Sequence, residues 1–205
     1  MRVLVLSPYP TAIIETLRVA GDLAIAMDGR VGIAMLQRLE IDWIVSYGYR
    51  HLIGEPVFGA CRDRSINLHI SLLPFNRGAD PNFWSWFDGT PKGVTIHEID
   101  AGLDTGPVFA QREVAFLADD TLATSYDRLR AEMENLFNQS WIAIRDGDCK
   151  PAPQAGRGTS HRRADKAAFF DALPRAYETP VRVIEAQGAA ARKAAGLPGA
   201  SGERR

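Results

Sequence analysis

The chain has 205 residues, 46% of them hydrophobic, and a formal net charge of −1 with both signs spread along it. That length predicts one domain with appendages, and that charge balance excludes a broad nucleic-acid-binding face. Cys61 and Cys149 have neither metal-ligand nor disulfide-framework spacing, which predicts reduced thiols in a cytoplasmic protein, while the lack of a leader pattern or long apolar run predicts no membrane span.

Residues 2–7 form a short apolar run that predicts a first strand. Residues 11–20 carry Ile13, Ile14, Leu17 and Ala20 at helical spacing. A second strand is expected over 23–27, a short helix over 31–39, and a buried strand over 42–46, closed by Tyr47-Gly48-Tyr49. Strands follow over 66–69, 93–99 and 107–114. The last two are separated only by the 100–106 loop, which suits an antiparallel edge. In the helix entry before Phe83, Trp84 and Phe87, Asp80 is the expected cap and Pro81 the first helical residue. A long helix is predicted over 121–145, because Leu122, Tyr126, Leu129, Met133, Leu136, Phe137 and Ile144 recur at three-to-four spacing. Thr121 is its expected cap and Gly147 its stop.

Strands alternating with helices predict an α/β fold: a Rossmann-like, mostly parallel twisted sheet with flanking helices, followed by the long helix and a short C-terminal extension. The expected divisions are a main domain over 1–150, an extension over 151–195 with short helices at 167–173 and 181–193, and a disordered polar tail over 196–205.

The chemistry concentrates at Asn67-Leu68-His69-Ile70-Ser71-Leu72-Leu73-Pro74 and at Gly102-Leu103-Asp104-Thr105-Gly106. Asn67 and His69, two apart on a strand, face the same side. The rim of the sheet is their expected place. An imidazole suits proton traffic near neutrality, a carboxylate can fix its tautomer, and an amide N–H can meet an oxyanion. Together they have the parts of an acyl-transfer site without a covalent nucleophile. The plainer alternatives are an amide pairing with backbone at a strand end and a turn-forming aspartate. His97 either lines the pocket or satisfies a buried polar contact, and is not assigned to the chemistry. No His-x-x-x-His or Cys-x-x-Cys element accompanies His69, His97 and Asp104, so no metal is assigned.

These segments, joined by Gly93-Val94-Thr95-Ile96-His97, resemble the folate-dependent formyltransferases, which carry an Asn-x-His-x-Ser-Leu-Leu-Pro segment and a later Gly-x-Asp-x-Gly loop. The resemblance spans roughly residues 1–160 and makes 1–150 the formyltransferase catalytic domain. It implies an N-formyltransferase that draws on 10-formyltetrahydrofolate and needs no metal, with Asn67, His69 and Asp104 catalytic. It places the folate against Tyr49, Leu52, Ile53, Asp100 and Gly102, and the acceptor near Asn76 and Arg77. Ile70 departs from the proline or glycine that many relatives have there. Ser7-Pro8-Tyr9-Pro10-Thr11 departs from the glycine-rich turn of relatives that bind a ribosyl phosphate. Proline offers no N–H, so glycinamide ribonucleotide is disfavoured as acceptor. The charge balance disfavours the transfer-RNA branch.

The wording Asn76-Arg77-Gly78-x-x-Pro81-Asn82-Phe83-Trp84-Ser85 resembles the branch that formylates nucleotide-linked amino sugars, and also the formylation modules of peptide synthetases. The leading expectation is therefore a small-molecule amine on a nucleotide-linked sugar. The alternatives are an amino acid, free or on a peptidyl carrier protein, and a folate-binding module without activity. No nucleic-acid or membrane partner is expected. A homodimer and a carrier protein stay open.

Overall fold

The computed structural model describes residues 1–196; the expected polar tail after Gly196 lies outside the described residues. The elements run β1 (Arg2–Leu6), α1 (Thr11–Val19), β2 (Leu23–Met27), α2 (Ile33–Leu39), β3 (Trp43–Tyr47), α3 (Glu55–Phe58), β4 (Ser65–His69) and β5 (Arg77–Gly78). They continue with α4 (Pro81–Phe87), β6 (Gly93–Glu98), β7 (Val108–Glu113), α5 (Leu122–Asp146), β8 (Ser160–His161), α6 (Ala167–Phe170) and α7 (Val181–Ala194).

Six strands form one sheet in the order β2-β1-β3-β4-β6-β7. Strands β2, β1, β3 and β4 run parallel, and the near-continuous apolar sequences of β1 and β3 suit strands covered on both faces. Strand β6 runs antiparallel to β4, pairing Asn67 with His97 and His69 with Thr95. The sheet is thus mixed, with its antiparallel pair between β4 and β6.

The chain divides into two compact units. The first comprises Met1–His69, Thr95–Gln111 and Met133–Gln154. Leu4, Leu6, Leu36, Ile44, Val57 and Cys61 form a core in it, against which Tyr49 and Ile53 pack. Trp43 and Trp141 meet edge to face with ring centroids 5.3 Å apart. Buried beside them, Asp22 accepts from Trp141 Nε1 at 2.8 Å and from Arg145 Nη1 at 3.1 Å, and pairs with the N-terminal amine at 2.8 Å. Three donors around one carboxylate meet the condition under which a buried charge is tolerated.

The second unit comprises Ile70–Val94, Arg112–Glu132 and the chain from Ala155 onward. Phe83, Trp84, Trp86, Phe87, Leu122, Val181 and Ile184 build its core. Asn82 is its polar centre: its amide donates to Leu122 O at 2.9 Å, and its oxygen accepts from Trp86 Nε1 at 3.2 Å and Ser125 Oγ at 3.1 Å. Helix α7 lies so close to α4 that a Cβ at Gly188 would stand 1.8 Å from Phe87 O. The expected cap at Thr121 is present and reciprocal. Thr124 N donates to Thr121 Oγ1 at 3.2 Å, and Thr121 N donates to Thr124 Oγ1 at 2.9 Å. The cap expected at Asp80 is not made. Asp80 precedes α4 in left-handed backbone without a side-chain cap bond, and its carboxylate pairs with Lys166. The two-residue strands β5 and β8 pair in parallel beside it, a ribbon with no apolar pattern to announce it. Among the described residues no helix is long and apolar enough to cross a membrane.

Candidate active site

The first unit brings Asn67, His69 and Asp104 together, with His97 as a fourth member. Asn67 is the middle residue of β4 and His69 its last. Cross-strand neighbours in an antiparallel pair share a face, so His97 stands beside Asn67. Because β6 is antiparallel, its exit lies at the amino end of β4, where Ile99 N donates to Ser65 O at 2.8 Å. The 100–106 loop therefore starts at the far end of β4 from His69 and folds back. The constellation sits over a face of the sheet and not only at the expected rim.

Asp104 is the hub. Its Oδ1 accepts from Asn67 Nδ2 at 3.1 Å and lies 3.4 Å from His97 Nε2, while Oδ2 lies 3.6 Å from His69 Nδ1. The last distance is longer than a hydrogen bond, a common state for catalytic pairs before substrate binds. The side chains of His69, His97 and Asp104 are 7%, 2% and 11% exposed, so their mutual contacts are little screened by solvent. His97 Nδ1 lies 2.6 Å from Glu98 O, a group that can only accept, so that nitrogen carries the proton. His97 Nε2 then offers a lone pair to Asn67 Nδ2 at 3.3 Å. Both amide protons of Asn67 are thereby directed at side chains, not at strand-end backbone.

The loop that carries Asp104 is built for its shape. Asp104 has φ of +52°, a left-handed conformation in which aspartate is among the better-tolerated residues. Asp100 accepts from Gly102 N at 3.0 Å and Thr105 Oγ1 at 2.7 Å, so this expected folate residue spends its carboxylate on the loop itself. Gln154 Nε2 donates to Asp104 O and Gly106 O, each at 2.9 Å. A Cβ on Gly106 would stand 2.0 Å from Glu98 O. Gly106→Ala is expected to push the loop from Glu98, lowering kcat about tenfold to 10²-fold while costing about 1–3 kcal/mol of stability. Kinetics and a melting curve measure the two effects separately. Burial, with Asp63 and Asp100 adding to it, pushes the Glu98 carboxyl above its usual range.

The other expected folate residues lie after β3 in the same unit. Tyr49 donates its hydroxyl to Gly29 O at 2.7 Å, and Ile53 packs on the core. Leu52 is 85% exposed and Leu103, in the Asp104 loop, 51% exposed. Gly48 has φ of +62°, where a side chain is strained, and a Cβ there would also displace the Tyr9 hydroxyl, 1.8 Å away. The expected acceptor residues belong to the second unit. Asn76 is 1% exposed there, its amide donating to Asp88 Oδ2 at 3.3 Å and accepting from Thr90 Oγ1 at 2.6 Å. Its side chain is committed inside the unit, and Arg77 beside it is only half-buried on β5. Among the described residues no group of three or more His, Cys, Asp or Glu is arranged to hold a metal ion.

The sequence profile of the formyl transferase family matches residues 30–140, more than half of the chain. The chain belongs to the formyl transferase family. Its structure is similar to that of the formyltransferase PseJ from Anoxybacillus kamchatkensis, in complex with UDP-4,6-dideoxy-4-formamido-L-AltNAc and tetrahydrofolate. That match has 38% identity and a TM-score of 0.87, and covers 92% of this chain and all of the other. Its sequence is 40% identical over 102 residues to the dTDP-4-amino-4,6-dideoxyglucose formyltransferase of Mycobacterium bovis, covering 50% of this chain and 44% of that protein. It is 35% identical over 131 residues to a methionyl-tRNA formyltransferase of Burkholderia cenocepacia, covering 63% of this chain and 40% of that protein. This formyl transferase chain thus spans less than half the length of these two curated relatives.

Proposed function

We propose that this chain transfers a formyl group from 10-formyltetrahydrofolate to the primary amine of a nucleotide-linked amino sugar. The observation that carries the reading is the likeness to the Anoxybacillus enzyme along that enzyme's entire length, since its bound molecules are a formamido sugar on UDP and tetrahydrofolate. The residues of the first unit suit the chemistry. A neutral amine attacks the formyl carbon, a C–N bond forms, and the bond from that carbon to folate N10 breaks. His69 takes the proton from the attacking nitrogen and returns it toward N10. Asp104 holds the imidazole and stabilises its charged form. Asn67 turns one N–H from Asp104 or His97 toward the developing oxyanion, a contact whose loss typically costs about 3 kcal/mol. The bare side chains of Leu52 and Leu103 supply apolar surface for a flat ring. Tyr49, Ile53, Asp100 and Gly102 shape the loops around it. A cytoplasmic location belongs to the same proposal; both cysteines are free thiols.

The test is turnover with formyltetrahydrofolate against a panel of amino-sugar nucleotides, aminoacyl carrier proteins, free amino acids and methionyl-tRNA. Formamide formation on a sugar nucleotide, and on no other class at comparable rate, is the expected outcome. Preference for a carrier-bound or free amino acid would replace the acceptor half of the proposal. Binding of folate with no turnover on any acceptor would favour a module without activity.

A further inference from the structure

The β5–β8 ribbon of the second unit has two unlike faces. Thr159 and His161 turn inward. Thr159 Oγ1 accepts from Asn76 N at 2.8 Å, and the His161 ring stacks on Trp84 with centroids 3.8 Å apart and 4° between planes. His161 Nε2 lies 2.7 Å from Asp88 Oδ2, the same oxygen that accepts from Asn76. Backbone bonds from Arg77 N to Thr159 O and from Ala79 N to His161 O, each 3.0 Å, close the ribbon. Asn76, Gly78 and Asp80 have φ of +57°, +90° and +54°. Asn and Asp take left-handed backbone more readily than other non-glycine residues, and the bonds of the ribbon hold it here. The segment is a fixed platform.

The outer face is where the alternation of β8 puts Ser160 and Arg162, both exposed, and the pairing of Arg77 with Ser160 puts Arg77 on that face too. Arg162 continues β8 in extended backbone. Adjacent strands are about 4.8 Å apart and rise about 3.3 Å per residue, so the Cα atoms of Arg77 and Arg162 stand roughly 8 Å apart. Two guanidinium forks at that spacing can grip one diphosphate.

Resting on the nucleotide-sugar reading, we propose that Arg162 acts with Arg77 to bind the diphosphate of the acceptor, and that the His161–Asp88–Asn76 network holds both in place. The experiment is calorimetric titration of the full chain with UDP, dTDP, uridine and tetrahydrofolate. Arg162→Gln is expected to weaken UDP or dTDP at least about tenfold, with Arg162→Lys intermediate because the fork is lost. The exposed neighbour Arg163→Gln is expected to stay near wild type, and tetrahydrofolate affinity to be unchanged throughout. In turnover the acceptor KM rises while kcat and the folate KM hold. Equal nucleotide affinity in wild type and Arg162→Gln, or an equal loss in Arg163→Gln, overturns the inference alone. Wild type that binds tetrahydrofolate but neither nucleotide overturns the nucleotide-sugar reading and this inference together. Should Arg162→Gln fail to fold, Arg162→Lys decides, and wild-type affinity in it overturns the pair.

Discussion

His69→Ala is expected to lower kcat by about 10³-fold and to leave the fold intact. The magnitude follows from removing the group that moves the proton in the proposed transfer. Folding survives because the remaining contacts close among themselves: Asn67 with Asp104 at 3.1 Å, and His97 with Asp104 at 3.4 Å and with Glu98 O at 2.6 Å. Turnover of the purified variant, beside its circular dichroism melting curve, checks both halves. The Cys61→Ser, Cys149→Ser double variant is the companion measurement. Cys61 donates weakly to Ile41 O and Cys149 to Phe109 O, and neither thiol touches the constellation. It should retain wild-type activity. A dead double variant beside an active His69→Ala would sink the proposed chemistry.

Asp22→Ala is expected to cost about 2–4 kcal/mol, because it strands the buried Trp141 Nε1 and removes one acceptor of Arg145 and of the N-terminal amine, while Arg145 keeps Asp146 and Ala20 O. For a chain of this length that is a fall in Tm of roughly 10 °C. The same site sets an acid limit on stability. Burial pushes the Asp22 carboxyl up, but hydrogen bonds from the N-terminal amine, Trp141 and Arg145 outweigh it and hold the group below its ordinary 3.8. The folded state therefore binds this proton less readily than the unfolded chain. The stabilisation is complete above the ordinary carboxyl range and drains away as the pH falls through the lowered value. Denaturant melts of wild type and Asp22→Asn from neutral to acid pH read this out. The wild type should lose its advantage only at the acid end, and a constant gap across the range would remove Asp22 from the explanation.

Strands β1 and β3 were legible because continuous buried apolar runs leave little else for a short segment to do, and α5 because its apolar residues keep the helical period over its whole length. The joined Asn-x-His and Gly-x-Asp-x-Gly segments pointed to Asn67, His69 and Asp104, and the structure gathers them. What distant partners decide was not legible. Asp80 reads as a cap, yet Lys166, far along the chain, takes its carboxylate. Asp22 carries no sequence signal of the site that Trp141 and Arg145 build around it. Gln154 lies in an irregular polar stretch with no signal that it pins the Asp104 loop. His97 was half visible: its place on β6 was expected, but its register with Asn67 depends on antiparallel pairing that no local pattern fixes.

The left-handed backbone at Asp104 bears on how a working complex can be trapped. Alanine there removes the charge and also disfavours the handedness of the turn, so a dead variant would mix lost chemistry with a displaced loop. Asparagine tolerates that backbone nearly as well and keeps the side chain's shape. Asp104→Asn is therefore the substitution of choice for a crystallographic snapshot holding donor and acceptor side by side, with the Gly102–Gly106 turn still in register.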